Sequence, residues 1–262
     1  MIYCMSDLHG HYENYIAMLR EISFRPEDTL YVLGDVIDRG PDGIKILRDM
    51  MARPNVVPLL GNHELTAALC LKWLLQEITA ERAEDLGEVE LASLGDWMAN
   101  GGEPTLRALQ QLSRAEQREV LDYIRDMELY AEVEAGGRSF VLVHAGLDHF
   151  DPEKPLEDYE LEDFLFCRPG PDQNYYPDCY VVYGHTPTRL LCRWAGEEPR
   201  DKIVRRGMQI AIDCGGAQGG PVGCLGLDPR EDFYREYQNA GTAHRTARTF
   251  DVFTGLASGQ RG

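Results

Sequence analysis

Two hydrophobic periods alternate through the first sixty residues. Ile2–Ser6 is a short apolar run of strand character. Tyr12, Tyr15, Ile16, Leu19 and Ile22 then recur at three- and four-residue spacing, which places them on one face of an amphipathic helix. Thr29–Gly34 reads as a second strand, Pro41 suits the first turn of a helix through Ile44, Ile46, Leu47 and Met50, and Asn55–Leu60 reads as a third strand. Strand, helix, strand, helix, strand predicts right-handed crossovers and a parallel sheet, with functional residues at the carboxyl ends of its strands.

From about residue 64 to 128 the period is helical, and Ser113 with Glu116 has the spacing of a capping box opening a helix to about Met127. Leu129–Ala135 and Arg138–His144 then flank Gly136-Gly137, a hairpin signal. Tyr180–Tyr183, Met208–Ile212, Val222–Leu227 and Arg248–Phe253 follow as short strands. No repeat and no Gly-, Ser- or Pro-rich linker separates the α/β first half from the β-rich second half. The pattern therefore predicts an α/β fold in a single domain over 1–262, with two sheets packed face to face and helices outside.

Charge narrows the function. The chain has 262 residues, with 26 Lys and Arg against 44 Asp and Glu, a net −18. A sequence-independent nucleic-acid binder or a ligand of anionic membranes needs the opposite sign. Residues 81–90 carry five acids against one base and residues 151–163 seven against one, and both read as solvated surface. No apolar run approaches the roughly 18 residues of a spanning helix, and the N-terminus lacks a signal-peptide pattern, so a cytoplasmic location is expected. The seven cysteines are odd in number, irregularly spaced and without a C-x-x-C pair, which reads as reduced, mostly buried thiols.

The chemistry lies at strand ends. Asp7-Leu8-His9-Gly10, Gly34-Asp35-Val36-Ile37-Asp38-Arg39-Gly40, Gly61-Asn62-His63-Glu64, Val143-His144-Ala145-Gly146 and Tyr183-Gly184-His185-Thr186 each follow an expected strand. One His after a strand is more often a loop or core residue; five strand ends that all deliver His, Asp or Asn beside Gly point to a common crevice. Carboxylate oxygen, imidazole nitrogen and amide oxygen without thiolate suit a hard-to-borderline divalent ion. Asp7, His9, Asp35, Asn62, His144 and His185 are enough for two ions if one carboxylate bridges. Two neighbouring ions clamp the attacking and leaving oxygens of a phosphoryl displacement, so a phosphoester hydrolase is expected on the residues alone.

The same five segments, in this order, resemble the calcineurin-like metallophosphoesterases, and within them the small bacterial and lambda-type phage serine/threonine protein phosphatases of the phosphoprotein phosphatase family. Trp97-Met98-Ala99-Asn100-Gly101-Gly102 and Ile212-Asp213-Cys214-Gly215 are further similarities. The resemblance implies a four-layer α/β/β/α sandwich of two mixed sheets. It implies one metal on Asp7, His9 and Asp35 and a second on Asp35, Asn62, His144 and His185, Asp35 bridging, with a water or hydroxide between them as nucleophile. Mn²⁺ is the expected ion, and Fe, Zn, Co or Ni suit the same donors. His63 would be the general acid and Asp38 its orienting partner. Arg39, Asn62 and Arg168 would bind the substrate phosphate.

Some residues carry weaker readings. His11 is either near the site or a surface residue at a helix start. His149 and His244 read as surface, Glu64 as a hydrogen-bonding structural residue, and Asp213 equally as a ligand-orienting group or a strand cap. Trp73, Trp97, Trp194 and Tyr175-Tyr176 read as core or rim. The leading expectation is hydrolysis of phosphoserine and phosphothreonine in proteins, with a phosphoprotein as partner. The alternatives are symmetrical bis(5'-nucleosyl)-tetraphosphate cleavage and a broad phosphomonoesterase. Relatives of the former commonly lack the acid at the Asp38 position and carry Asp where this chain has Glu64. No expected ligand is replaced, which argues against a scaffold with a dead site. The 81–128 segment is expected to carry substrate contacts, and the oligomeric state is open.

Overall fold

The computed structural model describes residues 1–74, 88–228, 234–240, 244–245 and 248–250. The first half runs β1 (Ile2–Met5), α1 (Tyr12–Glu21), β2 (Thr29–Val32), α2 (Gly43–Met51) and β3 (Val56–Pro58), each within about two residues of its expected bounds. Strands β1, β2 and β3 pair in parallel. The helical segment comprises α3 (Asn62–Leu74), α4 (Glu88–Ala99), α5 (Glu103–Leu109) and α6 (Arg114–Arg125). The expected capping box opens α6: Ser113 Oγ accepts from the Glu116 N–H and Glu116 Oε2 from the Ser113 N–H.

The second half contains β4 (Tyr130–Ala135), β5 (Arg138–Val143), α7 (Leu161–Leu165), β6 (Cys179–Tyr183), α8 (Thr188–Trp194), β7 (Val204–Arg206), β8 (Gln209–Ala211), β9 (Val222–Leu227), β10 (Tyr234–Ala240), β11 (His244–Arg245) and β12 (Arg248–Phe250). The β4–β5 hairpin turns at Gly136 and Gly137, whose φ values of 56° and 70° are those a two-residue primed turn demands of both central residues. The expected strand at 248–253 is seen over Arg248–Phe250, and 251–253 lie outside the described residues, as do 81–87 of the first acidic stretch. The second, 151–163, is largely exposed as expected, with Leu156, Tyr159 and Asp163 turned inward.

One sheet has the order β11-β10-β9-β1-β2-β3 with β12 on β10, the other β4-β5-β6-β8-β7. Both are mixed: β1 pairs antiparallel with β9, while β5, β6 and β8 run parallel beside the antiparallel β4 and β7. The first sheet is thus completed by the last part of the chain. Side-chain alternation shows why the sheets stack. Cys4, Leu225 and Leu227 of one sheet and Phe140, Leu142, Tyr180, Val182 and Ile210 of the other form one buried cluster between them. The alternate residues, Tyr3 and Met5 or Val141, Val143, Val181 and Tyr183, join a second cluster with Tyr15, Met18 and Leu19 of α1, Phe164 of α7 and Leu191 of α8. The central strands β1, β5, β6, β8 and β9 are buried on both faces, which explains why they read as continuous apolar runs. All seven cysteines are free, six of them buried and Cys179 partly so. No helix among the described residues is long and apolar enough to cross a membrane.

Candidate metal centre and active site

The carboxyl ends of β1, β2, β3, β5 and β6 meet at one edge of the two sheets. The loop after β1 zips onto the loop after β2, with Asp7 N–H donating to Gly34 O (3.1 Å), His9 N–H to Asp35 O (2.9 Å) and Gly10 N–H to Val36 O (2.8 Å). The second sheet is tied in by His144 Nδ1–H to Leu33 O (2.7 Å) and by the His185 N–H to Asp7 Oδ2 (2.9 Å). That last contact needs a glycine at 184, because a methyl group there would collide with Asp7 Oδ2. The backbone is bent hard to deliver these side chains. Eight non-glycine residues among those described have a left-handed φ, and Asp7, His9, Asp35, Asp38, Arg39 and His185 are six of them. Each costs about 1–2 kcal/mol that packing elsewhere must offset, and such strain gathers at functional sites.

The donor atoms converge on Asp35. Its Oδ2 lies 3.6 Å from His9 Nε2 and 3.9 Å from His63 Nε2, and its Oδ1 lies 3.5 Å from His144 Nε2. Two groups of possible ligands result, His9–Asp35–His63 and Asp35–His144–His185, sharing this one carboxylate. Asp7 Oδ1 stands 4.0 Å from His9 Nε2. Because the Nδ1 atoms of His9 and His144 donate to the Ile37 and Leu33 carbonyls, their Nε2 atoms present lone pairs. The lone pair of His144 Nε2 is 2.9 Å from Asn62 Oδ1 and 3.2 Å from His185 Nδ1. Imidazole nitrogen, amide oxygen and carboxylate oxygen gathered within reach of one another are the donors a divalent ion takes, so the set fits ions held on both sides of Asp35.

Around this core lie the groups that would handle substrate. His63 Nδ1–H donates to Asp38 Oδ2 at 2.7 Å in a fully buried pair. Asp38 also accepts from Trp97 Nε1–H (3.0 Å to Oδ2) and from the Thr105 hydroxyl (2.6 Å to Oδ1). The Arg39 guanidinium spans His9 Nε2 (2.7 Å) and His63 Nε2 (3.0 Å). Arg168 donates to Thr186 Oγ1 (3.1 Å) beside His185 and touches none of the ligand side chains. Asn62 is the first residue of α3, and the next N–H, that of His63, donates to Asp35 Oδ1 (3.1 Å), so the positive end of the helix faces the shared carboxylate. Glu64, wholly buried, accepts from the N–H groups of Asp35, Val36, Ile37 and Gly61, which agrees with a structural role.

Electrostatics follow from burial and crowding. Asp7 is pushed well above the usual carboxylate range by burial, then by the charges of Asp213 and Asp35. Asp213, whose Oδ1 takes the Gly215 N–H, is raised to about 6 by burial. Burial lowers His9 and His185 to about 3 and also lowers His144, which keeps these rings neutral and able to bind metal. For Asp35 burial acts upward, yet the surrounding imidazoles, His144 foremost, hold it below the ordinary range. Burial would lower His63 too, but the hydrogen bond to Asp38 and the Asp35 charge carry it above its usual value.

Comparison with known proteins agrees with this geometry. Residues 1–205 match the family model described as calcineurin-like phosphoesterase. The chain belongs to that family. Among curated relatives, the symmetrical bis(5'-nucleosyl)-tetraphosphatase of Acidovorax sp. (strain JS42) is 30% identical over 148 residues, 56% of this chain and 44% of that protein. The chain spans less than half the length of such relatives. Among solved structures, a serine/threonine phosphatase from Saccharomyces cerevisiae with similarity to human phosphatase PP5 covers 93% of this chain and 80% of its own, with a TM-score of 0.57 at 15% identity. A cold-active protein-tyrosine phosphatase of a psychrophilic Shewanella sp. covers 95% and 79%, with a TM-score of 0.54 at 14% identity. At such identities the two structures share the fold.

Within this phosphoesterase framework, every expected site residue reaches the cluster except Arg168, which stands beside it. His11 is half-buried at the start of α1 and caps nothing with its side chain. His149 is exposed and bonded to Asp163; the side chains of His244 and Trp73 lie outside the described residues. Trp194 is half-exposed and Tyr175 buried, as core or rim residues are. Sequence reasoning missed Trp97 and Thr105. Trp97 reads as core and is fully buried, but its one polar atom is aimed at Asp38. Thr105 carries no signal at all, since only the turn between α4 and α5 brings it to Asp38.

Proposed function

We propose that this chain is a metal-dependent phosphomonoester hydrolase acting on phosphoserine and phosphothreonine in proteins. The observation that carries the reading is the buried His63–Asp38 pair, 2.7 Å apart, whose other ring nitrogen, Nε2, lies beside the phosphate-binding candidate Arg39 (3.0 Å) and the shared carboxylate of Asp35 (3.9 Å). A serine or threonine alkoxide is a poor leaving group that departs only with a proton, and an imidazolium held by a carboxylate is the donor that supplies it. Asp7, His9 and Asp35 would hold one divalent ion and Asp35, Asn62, His144 and His185 the other, with Mn²⁺ suited to the donors. When bound, such a pair supplies charge to the phosphoryl oxygens and makes a water acidic enough to attack phosphorus near neutral pH.

The protein's own groups do the rest. Arg39 and Arg168 bind phosphate oxygens through planar guanidinium forks. The His63 Nε2 proton is transferred to the leaving oxygen as the P–O bond breaks, while the Nδ1–H remains on the ring and hydrogen-bonded to Asp38 Oδ2. One water is consumed, the proton it gives up restores the His63 imidazolium for the next turnover, the alcohol and inorganic phosphate leave, and no phosphorylated side chain forms. A second reading, symmetrical cleavage of a bis(5'-nucleosyl)-tetraphosphate, draws support from the relative named above, which is described by that activity. There the leaving nucleotide needs less help from an acid. Purified protein with Mn²⁺ is to be assayed on a phosphoserine peptide, a phosphotyrosine peptide and diadenosine tetraphosphate side by side. The phosphoserine peptide should give the highest kcat/KM; a clear preference for diadenosine tetraphosphate would replace the first reading by the second.

A further inference from the structure

We infer that Trp97 and Thr105 are positioning residues for the proton donor His63, acting through Asp38; this rests on the general-acid reading above. The helices between the ligand-bearing segments then have a definite task, which is to fix the direction in which the imidazole delivers its proton.

Asp38 is fully buried and sits at φ 68°, on a loop whose local preference does not hold it there. Its carboxylate is placed by three donors from three helices. His63 Nδ1–H and Trp97 Nε1–H reach Oδ2, at 2.7 and 3.0 Å, and the Thr105 hydroxyl reaches Oδ1 at 2.6 Å. Thr105 grips from both sides, since its Oγ1 also accepts the Asp38 N–H at 2.9 Å. The next residue is pinned to the α4–α5 turn as well, with Arg39 N–H donating to Gly101 O at 2.8 Å. Packing alone does not call for this arrangement. A buried Phe would fill the site of Trp97 and a Val that of Thr105, but either would leave the carboxylate short of a donor. A carboxylate free to rotate holds the imidazole in several orientations, and proton transfer to the leaving oxygen falls off with misalignment.

The test separates positioning from folding by leaving group. kcat and KM are to be measured with Mn²⁺ on p-nitrophenyl phosphate, whose phenolate leaves without help, and on a phosphoserine peptide, whose alkoxide does not. The variants are Trp97→Phe, Thr105→Val and Thr105→Ser, each also combined with His63→Asn. Loss of a charge-assisted bond to the carboxylate predicts a fall of about tenfold in kcat on the peptide for Trp97→Phe, and at least as large a fall for Thr105→Val, which also removes the acceptor of the Asp38 N–H. The fall on p-nitrophenyl phosphate should be under about threefold and KM nearly constant, because binding and attack do not use the proton. Thr105→Ser, which keeps the hydroxyl, should restore the peptide rate. In the His63→Asn background neither substitution should cost anything further, as residues acting through one group are not additive. Equal losses on both substrates, failure of Ser to rescue, or full additivity with His63→Asn would overturn the inference. If His63→Asn itself loses both activities equally, the general-acid reading falls and takes the inference with it. Should Trp97→Phe fail to fold in a thermal melt, the Thr105 pair decides.

Discussion

Replacing Glu64 by Gln tests how the strained metal-site loop is held. Glu64 Oε1 accepts from Val36 N–H (2.8 Å) and Ile37 N–H (3.1 Å), and Oε2 from Asp35 N–H (2.8 Å) and Gly61 N–H (3.2 Å). The amide of Gln keeps one oxygen for two of these donors and turns an NH₂ group toward the other two. Two charge-assisted bonds are lost, at about 1.5–3 kcal/mol each, and two buried N–H groups face a donor. Part of that gain is already spent in the wild type, because burial, followed by the Asp35 charge, pushes Glu64 up to about 7. A net loss of roughly 3 kcal/mol is therefore expected, which for a chain of this size is a fall of about 6–12 °C in Tm. Circular dichroism melts of the Mn²⁺-loaded proteins at pH 7.5 read this directly. Activity should fall further than the folded fraction does, since the released loop carries Asp35, Asp38 and Arg39. A Tm within about 2 °C of wild type with unchanged kcat would show that the left-handed residues need no such clamp, and would refute the reasoning.

Three other outcomes follow from the same geometry. Asp35→Asn, which removes the carboxylate shared by both ligand groups, should abolish tight binding of both ions, as measured by Mn²⁺ stoichiometry after gel filtration; two retained equivalents would rule out sharing. Gly184→Ala should keep the secondary structure but displace the Asp7 carboxylate, weakening Mn²⁺ affinity by about tenfold or more in a titration, as changes beside metal ligands commonly do. His149 is raised above its usual range by its hydrogen bond to Asp163, so the link it makes stabilises fully below the unfolded-state pKa of about 6.5 and is lost as pH rises through the higher folded-state value. His149→Gln should accordingly lower Tm at pH 6 and leave it unchanged at pH 8.5, where an undiminished difference would count against the pair.

Much was legible in the chain before any coordinates. Period-two and period-3.6 runs located most strands and helices, Ser113 and Glu116 announced a cap, and Gly136-Gly137 a turn, because each of these depends on neighbours a few residues apart. The ligand set was legible for a related reason. Asp7, Asp35, Asn62, His144 and His185 each lie within four residues of a strand's carboxyl end, and the parallel strands of a sheet end on the same side. What tertiary structure alone decided rests on long-range contact. The chain's last part returns to pair β9 beside β1, although nothing local in either strand names its partner. Asp35 lies between the two ligand groups because Leu33 O binds His144, 111 residues away. Trp97 and Thr105, 59 and 67 residues from Asp38, acquire a role only where the α4–α5 turn sets them against that carboxylate. Local spacing determines which side chains are on offer at each strand end; the packing of two sheets and the helices between them determines which atoms those side chains meet.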